Sequence, residues 1–280
     1  VADEVKSSNT SFFTSYLEGQ ILDYARASIV IAPNVRQIDL SGKAGKVAQL
    51  GKWASISASA LTEGTDLSNT AYTPTSVNIT ASEKGVMITV TDLSDASTTI
   101  ADLNDYGQQL GYAIGQKVDT DLAALFASLN GGTAKGSSGV NLTLQNFLDA
   151  LTELDSDNAP GQKVAVFHPV QWGDLRAQIA TSTGAPFSVG VGDEISKTGY
   201  VGTLFGVNIY QSSLCPTANS AADRVGAMFV KDAIALATKW GARVELERDA
   251  SLRATEIVAT ACYGVGEVAD SYGVPIVTDA

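Results

Sequence analysis

Four kinds of hydrophobic spacing succeed one another along the chain. In the first, Phe13, Leu17, Ile21 and Ala25 recur every four residues, which predicts an amphipathic helix over Phe12–Arg26 with Thr10 or Ser11 as its cap. Pro33 soon ends any helical run, so the segment reads as an arm standing apart from the body.

In the second, the stretch from Asn34 to Thr91 is extended. Val35, Ile38 and Leu40 begin it, Gly42, Gly45 and Gly51 interrupt it, and Trp53 to Ala60 continues it. Glu63-Gly64-Thr65-Asp66 reads as a turn and Tyr72 to Val90 as the return. Val77 and Ile79 share one side, and Val86, Ile88 and Val90 follow a turn expected at Glu83-Lys84-Gly85. The simplest reading is one long two-stranded ribbon. It is rich in Ser, Thr and Asn and poor in large apolar residues, so it has little with which to bury itself. Excursions of this length inside a compact domain are uncommon and usually functional.

The third pattern begins at Ser97. Ile100, Leu103, Leu110, Ile114, Val118, Leu122, Leu125 and Leu129 are spaced by threes, fours and a seven. This predicts a helix of about thirty residues, roughly 45 Å long. Asp92, Asp95, Asp102 and Asp105 fall before it or in its first turns, where the helix dipole favours negative charge. Gly131, Gly132, Gly136 and Gly139 end it in a loop.

The fourth pattern alternates helix and strand. Helices are expected at Thr143–Leu154, with Phe147, Leu148 and Leu151 on one face, at Val170–Ala180, and as a short piece at Lys231–Lys239. Strands are expected at Lys163–Phe167, Thr203–Gln211, Gly226–Val230, Arg243–Arg248, Thr255–Val268 and Val274–Thr278, with a Gly-rich loop over Gly184–Gly202.

Composition narrows the class. The chain has 280 residues, 45% of them apolar and 17% charged, which is the balance of a folded protein of one large or two modest domains. A net charge of −12 repels phosphate, which argues against a sequence-reading nucleic-acid binder and against docking on anionic membranes. It is compatible with a protein that surrounds nucleic acid without gripping it. Cys215 and Cys262 read as small buried apolar residues rather than a disulfide framework. There is no apolar window long enough for a transmembrane helix. The opening VADEVKSSNT has no basic region followed by an apolar run, so no signal peptide is expected.

Catalytic motifs fail one after another. The single histidine, His168 in FHPVQW, has no recognisable nucleophile or orienting acid and reads as a turn residue before Pro169. No GxSxG elbow exists, and one His with two distant Cys cannot assemble a structural zinc site. Asp155-Ser156-Asp157 opens like a calcium loop, but Ala159 and Pro160 occupy positions that need an oxygen ligand and Gly. Gly190-Val191-Gly192 is completed by neither GK[ST] nor GxGxxG. Asn9, Asn78 and Asn141 sit in N-x-[ST] triplets that mean nothing without secretion. Lys43, Lys46 and Lys52 read as a solvated face. The run Arg243, Glu245, Glu247, Arg248, Asp249, Arg253, Glu256 reads either as a charged strand face or as a salt-bridged subunit contact.

What remains is architecture: two extensions with little core of their own, and a ribbon whose edge invites another chain. The order of elements resembles the major capsid proteins of tailed bacteriophages with the Hong Kong 97-type fold. VMITVTDLSDASTTIADL (Val86–Leu103) looks like the return strand running into the spine helix. KVAVFHPVQWGDLR (Lys163–Arg176) resembles the axial domain's strand and helix. GTLFGVNIYQSSLCP (Gly202–Pro216) looks like that family's strand and turn, and ALATKWGARVELERDASLRATEIVATACYGVGEV resembles the peripheral sheet. Arg248-Asp249 and Tyr263-Gly264-Val265 fall where such proteins commonly have an acidic-basic pair and a Tyr-Gly-Val segment.

The resemblance implies an α+β Hong Kong 97-type capsid fold with an N-terminal arm (1–34), an extended β-hairpin loop (35–91), a long spine helix and following loop (92–139), an axial domain (140–235) and a peripheral domain sheet (236–280). It implies hexamers and pentamers enclosing double-stranded DNA without sequence-specific contacts. A portal protein is an expected partner, and a scaffold or decoration protein a possible one. No catalysis, metal, cofactor or membrane is implied, and the expected location is the virion, after assembly in the host cytoplasm. The alternatives are an encapsulin-type compartment around a cargo enzyme and a small-molecule hydrolase or binding protein. Candidate inter-subunit contacts are Phe13, Leu17, Ile21, Arg36, Lys46, Trp53, Glu63, Asp66, Tyr72, Glu83, Lys84, Glu245, Glu247, Arg248 and Arg253. Some relatives cross-link a loop Lys to a peripheral-domain Asn. Here the last Asn is Asn219, so covalent cross-linking of that kind is not expected.

Overall fold

The spacing of Leu110, Ile114, Val118 and Leu122 does form one helix, α1 (Asp102–Ala123), and all four are buried along its inner stripe. The computed structural model describes residues 29–52, 58, 60, 61, 63, 64, 66, 74–92, 102–181, 200–220 and 222–279. The expected arm helix, with Phe13, Leu17 and Ile21, lies outside these residues, as do Trp53, Tyr72, Ile100 and positions 184–199 of the Gly-rich loop. The helix as described has 22 residues. After it, Phe126–Gly132 turns as 3-10 segments broken by Leu129 and by left-handed Asn130 and Gly131, so Leu125 and Leu129 are not part of it. Phe126 and Leu129 instead enter the core, where the Phe126 and Phe229 rings stand 5.6 Å apart.

Two sheets form the body. The first has the order β1 (Arg36–Asp39), β10 (Ile234–Asp249), β11 (Ala254–Glu267), β4 (Ser82–Thr91). The second has the order β12 (Gly273–Asp279), β9 (Asp223–Val230), β5 (Lys163–Phe167), β7 (Val207–Gln211), β6 (Tyr200–Leu204), with β8 (Thr217–Ala218) on β9. A separate two-stranded ribbon pairs β2 (Val47–Lys52) with β3 (Thr75–Thr80). Helices α2 (Leu144–Ser156) and α3 (Pro169–Thr181) complete the fold.

The second sheet is a wall shared by two cores. Val164, Val166, Val225, Ala227 and Phe229 face α1 and the first sheet, while Ala165, Phe167 and Met228 face α2 and α3. A strand buried on both faces reads as a continuous apolar run, which is why KVAVF was legible. Thr143 caps α2 by accepting from the Asn146 N–H at 3.2 Å, and Phe147, Ala150 and Leu154 are its buried face. Leu148 and Leu151 are only half-buried. His168 does sit at a turn: its Nδ1 accepts from the Val170 N–H at 3.3 Å, capping α3. Buried Gln171 ties α3 to the sheet, donating to the Thr278 hydroxyl at 2.8 Å and the Arg224 carbonyl at 2.9 Å.

Several sequence expectations are corrected. Glu83-Lys84-Gly85 is no turn but lies near the start of β4, which leaves the ribbon and pairs with β11 over ten register positions from Ser82↔Tyr263 to Thr91↔Ala254. Arg36–Asp39 likewise joins the first sheet, parallel to β10, rather than the ribbon. TLFGVNIYQ is a hairpin, not one strand, because Phe205 (φ 50°) and Gly206 (φ 79°) turn the chain between β6 and β7. The short helix expected at Lys231–Lys239 is a turn leading into β10. Ile234 to Ala237 are all buried there, and strand pairing on both sides overrides their helix propensity. Gly273–Asp279, inside the segment 236–280, crosses to the second sheet.

Candidate functional site

The ribbon base rests on its own chain. Ile79, Ala81 and Ala48 pack on Ala235, Ala237 and Cys262 at one end of the first sheet's outer face. The Ala81 N–H donates to the Lys46 carbonyl at 2.8 Å and closes the base. Close approach needs glycine beneath: a Cβ on Gly264 would stand 2.4 Å from the Thr80 carbonyl oxygen, and one on Gly266 would meet Ile79 at 2.8 Å. The ribbon, which has little with which to bury itself, thus finds a surface on its own body at Ala48, Ile79 and Ala81.

One turn of α1 holds the roots of both extensions. Asp119 is fully buried and accepts from three successive backbone N–H groups, Val30 at 2.6 Å, Ile31 at 3.2 Å and Ala32 at 3.3 Å. Burial pushes its carboxyl up, against the pull of those donors. Two residues on, Asp121 accepts from Lys117 at 2.8 Å, from Lys84 of β4 at 3.0 Å and from the Tyr263 hydroxyl at 2.9 Å. Burial alone would raise the Asp121 carboxyl, but the three donors outweigh it and hold it below the usual carboxylate range. The Tyr263 hydroxyl is pushed up by burial and by its bond to Asp121. Lys84 also stands 5.3 Å over the Tyr263 ring.

Beyond the ribbon base the outer face of the first sheet is open. Register brings Met87, Val258 and Glu245 into one row and Thr89, Glu256 and Glu247 into the next. Met87 is 55% exposed. Glu247 stands directly opposite Glu256, a like-charge pairing that destabilises a sheet unless a cation joins it. Among the described residues neither glutamate, nor Glu245, has an ion pair, and neither do the exposed Lys43, Lys46 and Lys52 of the ribbon side.

The other candidates divide. Arg248 is bound within the chain, donating through both terminal nitrogens to Asp92 at 2.6 Å, which raises its pKa further. Asp92 is thus the ion-pair partner of Arg248. Lys84 is also engaged internally, and Arg36 approaches Asp232 at 3.9 Å. Glu63, Asp66, Glu83 and Arg253 are exposed. Arg243 stacks on Trp240, its guanidinium carbon 4.7 Å from the ring centroid. Asp119 and Asp121 were missed as determinants, and Tyr263 and Gly264 were noted only through the resemblance, although the alternate glycines of CYGVGEV carried a signal of close backbone approach. Cys215 and Cys262 are both buried and free, and burial pushes the Cys215 thiol up to about 12. Among the described residues no group of three His, Cys, Asp or Glu side chains could hold a metal ion.

This geometry offers exposed contact surfaces. The model of the family described as phage capsid protein matches residues 46–275. No protein of curated function matches in sequence. The capsid of cyanophage Pam1 is similar in fold, with TM-score 0.66 and 15% identity over 90% of this chain and 92% of that one. The capsid of cyanophage P-SCSP1u gives TM-score 0.64 and 16% identity over 90% and 88%. A structure from Mycobacterium phage Che8 gives TM-score 0.64 and 22% identity over 83% and 84%.

Proposed function

We propose, from the premise that this chain belongs to the phage capsid protein family, that its copies form hexamers and pentamers closing into an icosahedral shell around double-stranded DNA of a tailed phage. In this reading the Hong Kong 97-type layout applies: an arm before β1, an extended loop carried by β2 and β3, a spine helix at α1, an axial domain around the second sheet with β12 added to it, and a peripheral domain around the first sheet, which takes in β1 and β4. The role is structural, breaks no bond and needs no cofactor. The portal is a partner in the finished shell, a scaffold or decoration protein an additional one, and assembly takes place in the host cytoplasm.

The observation that carries the reading is the open outer sheet face. Among the described residues Glu245, Glu247 and Glu256 have no ion pair there, and the exposed Lys43, Lys46 and Lys52 lie on the ribbon side of the same chain. The chain's own ribbon base sits over Ala235, Ala237 and Cys262 instead. A second copy's ribbon, bringing Lys43, Lys46 or Lys52 onto this face, neutralises the like-charge row. Such a contact joins unlike surfaces and closes into rings. Each contact is modest, but every subunit makes several, and multivalency turns them into a durable lattice. The net charge of −12 suits walls that leave packaged DNA mobile.

The test is the content of purified particles. Nuclease-protected double-stranded DNA inside closed shells is the expected result. Shells that hold a cargo protein and no nucleic acid would replace this reading with that of a protein compartment.

A further inference from the structure

An apolar groove of about 400 Å³ opens on the inner face of the first sheet, beside the segment that leads into β1. Ile114 and Val118 of α1 form one wall, Leu236 and Ala242 of β10 the other, and Ile29 and Pro33 the rim. Trp240 borders it at the irregular register of β10, where the pairing with β11 shifts on both sides of that residue. Its indole N–H is buried and has no acceptor among the described residues.

The chain itself supplies a fitting occupant. Twenty-eight residues precede Ile29, and they carry the four-residue stripe Phe13, Leu17, Ile21 and Ala25. Asp119 fixes Val30, Ile31 and Ala32, so the chain upstream departs from the groove's own rim. Ala25 is four residues from Ile29 and so within about 14 Å of it even when the link is extended. A tether this short gives an effective concentration on the order of millimolar, which favours the chain's own segment over that of a second copy. We propose that the apolar stripe of residues 12–26 seats in this groove of its own chain. The inference rests on the capsid reading and narrows it: residues 1–11 and the ribbon, rather than the whole arm, are left to reach neighbours.

A photo-reactive benzoylphenylalanine at position 17 of the full chain tests this. The labelled chain is co-expressed with an unlabelled Thr238→Ser chain, whose groove peptide differs in mass, and cross-linked peptides are read by mass spectrometry. Links to the Thr238 form of the peptide over Leu236–Ala242, without links to the Ser form, are expected, and a link to the α1 peptide counts only beside them. Links to the Ser form place the segment on a second copy and overturn the same-chain claim. Links only outside the groove, or none, overturn the groove as the seat. In a second arm, Ala242→Arg obstructs the groove and should speed proteolysis within residues 12–26 at least tenfold, and an unchanged rate would contradict the proposal. Shell formation is scored separately by electron microscopy, so a failure of this inference is distinguishable from a failure of the capsid reading.

Discussion

Gly264 lies directly beneath the Thr80 carbonyl of the ribbon, so close that a Cβ on Gly264 would come within 2.4 Å of that oxygen. The contact sets how low the ribbon sits on the first sheet and buries Ile79 and Ala81. Gly264→Ala should lift the ribbon base and destabilise the chain by about 1–3 kcal/mol, the usual cost of overpacking. The denaturation midpoint should fall, and the Ala81 amide should lose its protection from exchange. Gly173→Ala is the contrast. Nothing lies within 4 Å of its added Cβ in α3, and the change should be neutral or stabilising by up to about 1 kcal/mol.

The arm's root depends on Asp119. Asp119→Ala leaves the Val30, Ile31 and Ala32 amides without their buried acceptor, at a cost of about 3 kcal/mol. Hydrogen exchange at those three amides should accelerate far more than exchange in the second sheet. Asp119→Asn keeps one acceptor oxygen and should fall between the two.

Acid sensitivity should centre on Asp121. Its folded-state pKa is held below its ordinary value of 3.8, so its contribution to stability is present above that value and lost as pH falls through the folded one. Chemical-denaturation midpoints measured from pH 6 downward should therefore decline on the acid side. Asp121→Asn should be less stable near neutrality and flatter in that limb, and an equal acid slope in both proteins would remove Asp121 as the cause.

The elements that the sequence made legible are those whose burial is set locally. The period of α1, the alternation of Val86, Ile88 and Val90, and the doubly buried Lys163–Phe167 strand could be read directly. Long-range pairing could not. Glu83-Lys84-Gly85 has the composition of a turn, but β11 pairs with it across more than 170 residues and keeps it extended. Lys231–Lys239 lost its helix to the same cause. Arg248 was singled out by the charge alternation of its strand, yet its partner Asp92 comes from 156 residues away. The open acidic rows became visible only once register placed Glu247 against Glu256.

The central claim is that the ribbon joins copies of a shell-forming chain. The Ala81 N–H bond to the Lys46 carbonyl closes the ribbon's base, so residues 47–80 can be replaced by a short Gly linker without opening the first sheet. Electron microscopy of the purified deletion variant beside the intact chain is the most direct measurement. Closed shells from the intact chain, and only folded, unassembled subunits from the variant, are the predicted outcome. Normal shells from the variant would contradict the account.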